Sequence, residues 1–83
     1  MTVVTLYARP GCHLCDEARE AIEALRPEVP RFELKEVNIE RDDDLLARYL
    51  ERIPVVAVDG DIVSELELDL DSLREDLLDT VRR

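Results

Sequence analysis

Two cysteines separated by two residues give this sequence a pair of side chains suited to redox chemistry. Cys12 and Cys15 are the chain's two cysteines, and they follow Arg9-Pro10-Gly11, where an apolar, strand-like segment gives way to a helix-like one. A Cys-x-x-Cys pair in the first helical turn places the first sulfur beside unpaired backbone N–H groups and the positive end of the helix dipole, which stabilise a thiolate. We therefore expect Cys12 to be the nucleophile and Cys15, further into the helix, to be the less accessible resolving thiol.

Charged neighbours act on that thiolate in both directions. A free thiol has a pKa near ~8.5, so the helix end must lower the pKa of Cys12 for much thiolate to form at neutral pH. The Arg9 cation favours the thiolate, whereas Asp16 and Glu17 oppose it unless they point outward. His13 leaves two alternatives: a protonated ring beside Cys12 that stabilises the thiolate, or an exposed ring with little effect.

Length and charge limit the kinds of protein that this chain can be. Its 83 residues are expected to form a single domain, and 46% hydrophobic with 39% charged residues is typical of a globular chain. The net charge of -10 argues against a nucleic-acid surface. A solvated acidic coat, attraction of a basic partner and adaptation to high salt all explain this acidity, and composition does not separate them.

The sequence shows no targeting or membrane signal. No basic, apolar and small-residue order at the start indicates a signal peptide, and no apolar run is long enough to cross a membrane. We therefore expect a cytoplasmic protein. In that reducing compartment a structural disulfide does not persist, so a Cys pair is catalytic, redox-sensing or metal-binding.

The first two strands are predicted from apolar runs on either side of the first helix. Val3 to Tyr7 indicates a central strand covered on both faces, because its apolar residues do not alternate cleanly. Phe32 to Ile39 indicates a second strand, but its apolar residues change parity between Leu34 and Val37. We interpret that change as a bulge or a later strand start.

A hairpin is predicted in the second half of the chain. Val55 to Val58 and Ile62-Val63 flank Asp59-Gly60, the pattern of two strands joined by a type I′ turn. The helical crossover makes the first two strands parallel neighbours, and the hairpin adds two antiparallel strands. The predicted fold class is α/β, in the order βαβαββα, with a four-stranded mixed sheet flanked by helices.

Each of the three helices has a start signal and an apolar stripe. The first opens after Pro10-Gly11, the second at the aspartates of positions 42–44, and the third at Ser72, whose spacing to Glu75 matches a capping box. The residues predicted to face inward are Leu14, Ala18, Ala21, Ile22 and Leu25 in the first helix, Leu45, Leu46, Tyr49 and Leu50 in the second, and Leu73, Leu77, Leu78 and Val81 in the third.

This order of elements, with Cys-x-x-Cys after the first strand and Ile53-Pro54 before the third, resembles the thioredoxin fold. The short form, without extra N-terminal elements, resembles a glutaredoxin. Within it, Leu6-Tyr7, Pro10 to Ala18, Ile53 to Val56 and Asp59-Gly60 are similar to a small bacterial and archaeal glutaredoxin-like family. The resemblance extends over nearly the whole chain.

The resemblance implies a thiol-disulfide oxidoreductase in which Cys12 attacks and Cys15 resolves. It also implies a cis peptide bond at Ile53-Pro54 that faces the disulfide and leaves the backbone groups of residue 53 free to pair with an extended thiol peptide. No bound cofactor or metal is expected. The residues expected to bind substrate are Arg9, Pro10, Gly11, His13, Ile53 and Pro54.

Departures from the family pattern bear on the reductant. Ser64-Glu65-Leu66-Glu67 stands where glutaredoxins usually carry a Gly-Gly-Asp-like turn that holds the glutamyl end of glutathione. Its acids repel an anionic tripeptide, although Arg9 can hold one carboxylate. We expect a disulfide-containing protein or a small thiol as substrate, with glutathione, another small thiol or a thioredoxin reductase as the candidate reductant. We expect a monomer with no nucleic-acid or membrane partner.

Two other functions stay open at this point. One is an iron-sulfur cluster carrier in which a dimer bridges the cluster, because two cysteines and one histidine cannot complete a four-ligand site within one chain. The other is a dedicated redox partner or interaction module that keeps the fold and the Cys pair without turnover.

Overall fold

A computed structural model describes residues 2–79, and within them the predicted βαβαββα order and four-stranded mixed sheet are confirmed. The sheet order is β2-β1-β3-β4; β1 pairs with β2 in parallel and with β3 antiparallel, and β3 pairs with β4 antiparallel. No helix in this range is long and apolar enough to span a membrane. The elements are β1 (Thr2–Ala8), α1 (His13–Ala24), β2 (Phe32–Asn38), α2 (Asp43–Tyr49), β3 (Val55–Val58), β4 (Asp61–Ser64) and α3 (Leu70–Asp79).

The sheet buries side chains on both faces. On one face, Val4, Leu6 and Ala8 of β1 join a cluster with α1 and α3. On the other, Tyr49 of α2 forms a smaller cluster with Ile39 and Val55, against which Tyr7 packs. Because alternate residues of β1 reach different clusters, the strand lacks the polar face of a half-exposed strand. Its predicted central position is confirmed.

The predicted bulge or late start of β2 is wrong. The pairing with β1 runs without interruption from Thr2 opposite Phe32 to Ala8 opposite Asn38. Apolar residues change parity because the helices cover the two faces at different places: Phe32 joins the cluster under α1 and α3, whereas Ile39, just past the strand, joins the cluster under α2. A register irregularity lies instead between β3 and β4, at Val56 and Ala57.

The predicted hairpin turn is present at Asp59-Gly60. Both residues have positive φ, 49° and 93°, as a type I′ turn requires. The Asp59 carboxylate accepts a hydrogen bond from the backbone N–H of Val3 at 2.9 Å. The turn is therefore tied to the start of β1.

Three residues predicted to face inward are exposed. Leu14, Leu50 and Leu78 have 55%, 44% and 37% of their surface accessible. Leu50 follows α2 as its C-terminal cap, where the helix no longer covers the sheet. Among the leucines of α3, Leu73 and Leu77 hold the inward positions instead of Leu78. Val81, also predicted to face inward, lies outside the described residues.

The third helix begins before the predicted capping box. Asp69 precedes α3, and its carboxylate accepts hydrogen bonds from the Ser72 backbone N–H at 3.1 Å and the Ser72 hydroxyl at 2.9 Å. Those bonds, the backbone one first, hold the pKa of Asp69 below its ordinary value. Ser72 is therefore a donor to the cap and not the cap itself, because an aspartate three residues upstream already accepts the free N–H groups.

We predict that Asp69→Ala lowers the urea midpoint of unfolding more than Ser72→Ala does, since only the first removes the acceptor. The contribution of the charge is complete above the unfolded Asp pKa of ~3.9 and is lost as pH falls through the lower folded pKa. The difference between wild type and Asp69→Ala should accordingly shrink in acid. Asp69→Asn, which keeps a cap oxygen, is the control. A larger loss in Ser72→Ala would contradict the assignment.

Candidate active site

The two cysteines meet at the start of α1 as the sequence predicts. They form a disulfide with their Cα atoms 5.2 Å apart, so the structure is that of the oxidised protein. Cys12 is the N-cap residue of the helix and is partly exposed, whereas Cys15 is only 1% exposed. An external sulfur can therefore reach Cys12 far more readily than Cys15.

The loop before the disulfide sets the direction in which Cys12 enters the helix. It runs from the end of β1 through Arg9, Pro10 and Gly11, and Gly11 has a φ of 78°. No atom lies within 4 Å of where a Cβ on Gly11 would stand. The backbone conformation, and not a lack of space, is therefore what requires glycine.

Backbone N–H groups of the first turn of α1 donate hydrogen bonds to Cys12. The Cys15 N–H donates to Cys12 Sγ at 3.1 Å, and the Asp16 N–H donates to the Cys12 carbonyl oxygen at 3.2 Å. The sulfur thus occupies the place that an oxygen of Ser, Asp or Asn takes in an ordinary helix cap. An N–H group aimed at sulfur, together with the helix dipole, stabilises negative charge there.

The charged side chains near the cysteines pair with one another. The Arg9 guanidinium lies 3.4 Å from Glu40, and His13 Nε2 lies 3.2 Å from Glu17, with 86% of the His13 side chain exposed. Within residues 2–79, neither Arg9 nor His13 forms a hydrogen bond or an ion pair with Cys12. Of the two alternatives for His13, this placement favours the exposed ring, whose partner is a carboxylate and not the sulfur.

Asp16 and Glu17, which would oppose a thiolate, are both engaged. Arg19 pairs with Asp16 at 2.9 Å and also with Glu36 of β2. The hydrogen bonds to Glu36 and then to Asp16 raise the pKa of Arg19. Glu17 lies 3.2 Å from His13 Nε2. The Arg19 cation reduces the opposition of Asp16 to negative charge on Cys12.

The Ile53-Pro54 peptide bond is cis, as the resemblance implied. Ile53 packs against both hydrophobic clusters, and Pro54 is buried. The expectation that the backbone of residue 53 is free is wrong in part. The Ile53 N–H donates to the Tyr49 carbonyl at 3.0 Å, because the chain continues the end of α2 into this turn. We find no partner for the Ile53 carbonyl in the part of the chain described.

An apolar groove lies between α1 and the segment after β4, and it includes Leu14 from the first turn of α1. Its volume is about 490 Å³. We call it the Leu66 groove. Sequence reasoning missed its two exposed leucines: Leu14 was assigned to the core, and Leu66 was seen only as part of an acidic segment. The groove is lined by Leu14, Glu17, Ala18, Ala21, Pro54, Leu66, Glu67, Leu68 and Leu70.

Leu66 has an unusual backbone. Its φ is 65°, in the left-handed region that a leucine rarely adopts. Hydrogen bonds hold the conformation: the Leu66 N–H donates to the Arg52 carbonyl at 2.8 Å, and the Glu67 N–H donates to the Glu65 carbonyl at 2.7 Å. The Leu66 side chain is 54% exposed. Burial of that side chain therefore does not explain why a leucine stands at this strained position.

A second cleft, of about 590 Å³, is lined in part by Arg9, Pro10 and Gly11 of the loop before Cys12. Its lining also includes Arg19 and Arg41, together with three acids. Among residues 2–79, no group of three or more His, Cys, Asp or Glu is placed to hold a metal ion. A cluster shared between two chains stays a prediction.

Comparison with known proteins places the chain in a family. The model of the glutaredoxin-like domain (DUF836) matches residues 3–78. The chain belongs to this glutaredoxin-like family. A Dictyostelium discoideum protein named "Glutaredoxin-like protein YDR286C homolog" is 29% identical over 85 residues, which cover 96% of this chain and 79% of that protein.

Solved structures agree with the glutaredoxin-like assignment. The solution NMR structure of protein Ne2328 from Nitrosomonas europaea has a TM-score of 0.81 at 29% identity, over 92% of this chain and 91% of that chain. A mutant thioredoxin from Halobacterium salinarum has a TM-score of 0.62 at 20% identity, over 92% of this chain and 71% of that chain. The second likeness shows the fold alone. The predicted thioredoxin-type fold is thereby confirmed.

We predict that Leu66→Gly is more stable than Leu66→Ala by about 1 kcal/mol, because only glycine adopts a positive φ without steric cost. Both variants remove the side chain, so the difference between them isolates the backbone effect. Chemical denaturation of the two variants measures it. Equal stability, or greater stability of Leu66→Ala, would show that this position is not strained.

Proposed function

We propose that this glutaredoxin-like protein is a thiol-disulfide oxidoreductase that reduces disulfides with the Cys12 and Cys15 dithiol. The observation that carries the proposal is the hydrogen bond from the Cys15 N–H to Cys12 Sγ at the N-terminus of α1. A sulfur in that position is stabilised as a thiolate, and the thiolate is the form of cysteine that attacks disulfides. Membership of the family and the Cys-x-x-Cys spacing support the same redox function.

The reaction proceeds in two exchanges. The Cys12 thiolate attacks one sulfur of the substrate disulfide; the substrate S–S bond breaks, a bond between Cys12 and the substrate forms, and the other sulfur leaves as a thiolate and takes a proton from water. Cys15 then gives up its proton and attacks Cys12 Sγ, which releases the second substrate thiol. The substrate gains two electrons, and the dithiol loses two. The Cys12–Cys15 disulfide that results is the state of the present structure.

The different exposure of the two sulfurs fits this order. Cys12 is accessible to an external disulfide, whereas Cys15, 1% exposed, is in contact with Cys12 and closed to other partners. A buried second thiol attacks only a sulfur already attached to Cys12. Reaction of the mixed disulfide with an outside thiol must then compete with attack by Cys15, which is always within reach of Cys12.

The cycle requires an external thiol reductant. Glutathione, another small thiol and a thioredoxin reductase are the candidates, and Arg9 is the residue proposed to hold a carboxylate of a small thiol. Arg9, Pro10 and Gly11 line the cleft beside the Cys12 loop, and Pro54 lines the Leu66 groove. These positions support the proposal that the loop before Cys12 and the cis-proline turn contact substrate or reductant.

Replacing each cysteine separately should distinguish their roles. We expect Cys12→Ser to abolish disulfide exchange, because the nucleophile is lost. Cys15→Ser should still attack and then accumulate a mixed disulfide with the substrate, visible as a mass increase that dithiothreitol reverses. Equal loss of the first exchange in both variants would overturn the assignment of Cys12 as attacker.

We further predict that the Cys12 thiol of the reduced protein has a pKa below the ~8.5 of a free thiol, because the Cys15 N–H and the helix end favour the charged form. Ultraviolet absorbance of the thiolate, followed against pH in Cys15→Ser, measures this single group. Unfolding the same variant in urea provides the reference. A pKa that does not change on unfolding would rule out stabilisation by the helix.

A further inference from the structure

The Leu66 groove is apolar except for two side chains of the same charge. Seven of its nine lining residues are apolar, and the other two are Glu17 and Glu67. Among the residues that the structure describes, no lysine or arginine lines it. An occupant that fits such a wall presents an apolar surface, and any charge it carries is positive.

Within residues 2–79, one of the two carboxylates that line the groove has a side-chain partner and the other does not. Glu17 has His13 Nε2 at 3.2 Å, whereas the Glu67 side chain has no partner among the residues that the structure describes. Glu65, the neighbouring acid, lies 3.9 Å from Arg52. Glu67 is therefore the groove carboxylate that is available to form an ion pair with a cation of a bound partner. The net charge of -10 adds a long-range attraction of the same sign.

The groove reaches the Cys-x-x-Cys turn through Leu14, which stands between the two cysteines in sequence. Its wall also includes Pro54 of the cis peptide bond, and neither cysteine lines it. A substrate side chain held in the groove therefore belongs to a residue close to the substrate cysteine whose sulfur Cys12 attacks. A volume of about 490 Å³ falls within the ~300–1,000 Å³ of pockets that hold small-molecule-sized groups.

The strained conformation of Leu66 gives the groove one of its walls. A glycine at a φ of 65° would carry no steric cost, yet the position holds a leucine whose side chain is 54% exposed and lines the groove. Strain of this kind is found where a side chain is needed for binding. Here the exposed side chain widens the apolar surface next to Pro54.

We infer that the Leu66 groove selects protein disulfides in which the cysteine lies near an apolar residue and a lysine or arginine. This inference rests on the proposed oxidoreductase function and names the substrate class of the same site. In the mixed disulfide, the apolar side chain packs between Leu14 and Leu66, and the cation lies at Glu67. Glutathione, which has two carboxylates and one ammonium group, lacks both the apolar side chain and the net positive charge.

The test uses the reduced full-length protein in single-turnover reactions, with no other reductant present. The substrates are disulfide-linked peptides of one length, with a leucine beside the cysteine and either Lys, Gln or Glu two residues away. We expect the second-order rate constant for the Lys peptide to exceed that for the Glu peptide by about fivefold or more at low salt, and the ratio to shrink as salt is added. Oxidised glutathione should react more slowly than the Lys peptide.

Matched variants separate the groove from the general charge of the protein. Glu67→Lys should remove or invert the preference between the Lys and Glu peptides. Glu33→Lys makes the same change of net charge at an exposed residue of β2 that lines neither cleft, and it should keep the preference.

A second pair of variants tests the apolar wall with peptides in which serine replaces the leucine. Leu66→Ala should slow the reaction of the leucine peptides relative to these serine peptides. Ile62→Ala, at an exposed residue outside the groove, should not.

Each other outcome has a definite meaning. Equal rates for all three charges in wild type, or equal effects of Glu67→Lys and Glu33→Lys, would overturn the groove assignment and leave the oxidoreductase function standing. A dimer in sedimentation that dissociates in Leu66→Ala would place a second copy of the chain in the groove and overturn it as well. Failure of wild type to react with any peptide would overturn the proposed function itself.

Discussion

The hydrogen bond from the Cys15 N–H to the Cys12 sulfur is the contact on which the rest of the site depends. A helix leaves its first N–H groups without partners, and this chain satisfies one of them with a sulfur atom. The same turn of helix that places Cys12 at the cap directs Cys15 into the core, where it is almost fully buried. One local geometry therefore gives the two sulfurs different exposure, which is the basis for the proposed roles of Cys12 as nucleophile and Cys15 as resolving thiol.

That geometry is held by packing on both faces of the sheet. β1 delivers the chain to the Cys12 loop, and its alternate side chains anchor it in two hydrophobic clusters. Ile53 packs against both clusters, and the Leu66 N–H donates a hydrogen bond to the Arg52 carbonyl oxygen. The disulfide, the cis-proline turn and the loop after β4 are distant in sequence. They meet because each is attached to the same end of one small sheet.

Charge is distributed unevenly around this end of the molecule. Asp16 in the first turn of α1 pairs with the Arg19 cation, and the cleft beside Arg9 contains side chains of both charges. Within residues 2–79, the charged side chains that line the Leu66 groove are both acids. The overall acidity of the chain therefore has a local counterpart in this groove. Attraction of a basic partner, one of the explanations that composition left open, is the one on which the proposed role of Glu67 rests.

The sequence by itself determined the order of elements, the hairpin, the family and the reactive pair, because these depend on local signals such as Cys-x-x-Cys, Asp59-Gly60 and apolar runs. The start of α3 was missed because two potential caps, Asp69 and Ser72, lie three residues apart, and the upstream one accepts hydrogen bonds from the other.

Only the tertiary structure decided which leucines form the core and which line a binding surface. Leu14 lies at helical spacing with Ala18 and Leu25, yet it is exposed, because α1 rests on the sheet through Cys15. Leu66 gave no signal in sequence, since its position in the groove follows from a positive φ and a hydrogen bond to a residue fourteen positions earlier. Local patterns fix which elements form, but a groove is made where separate elements end, and that depends on how they pack.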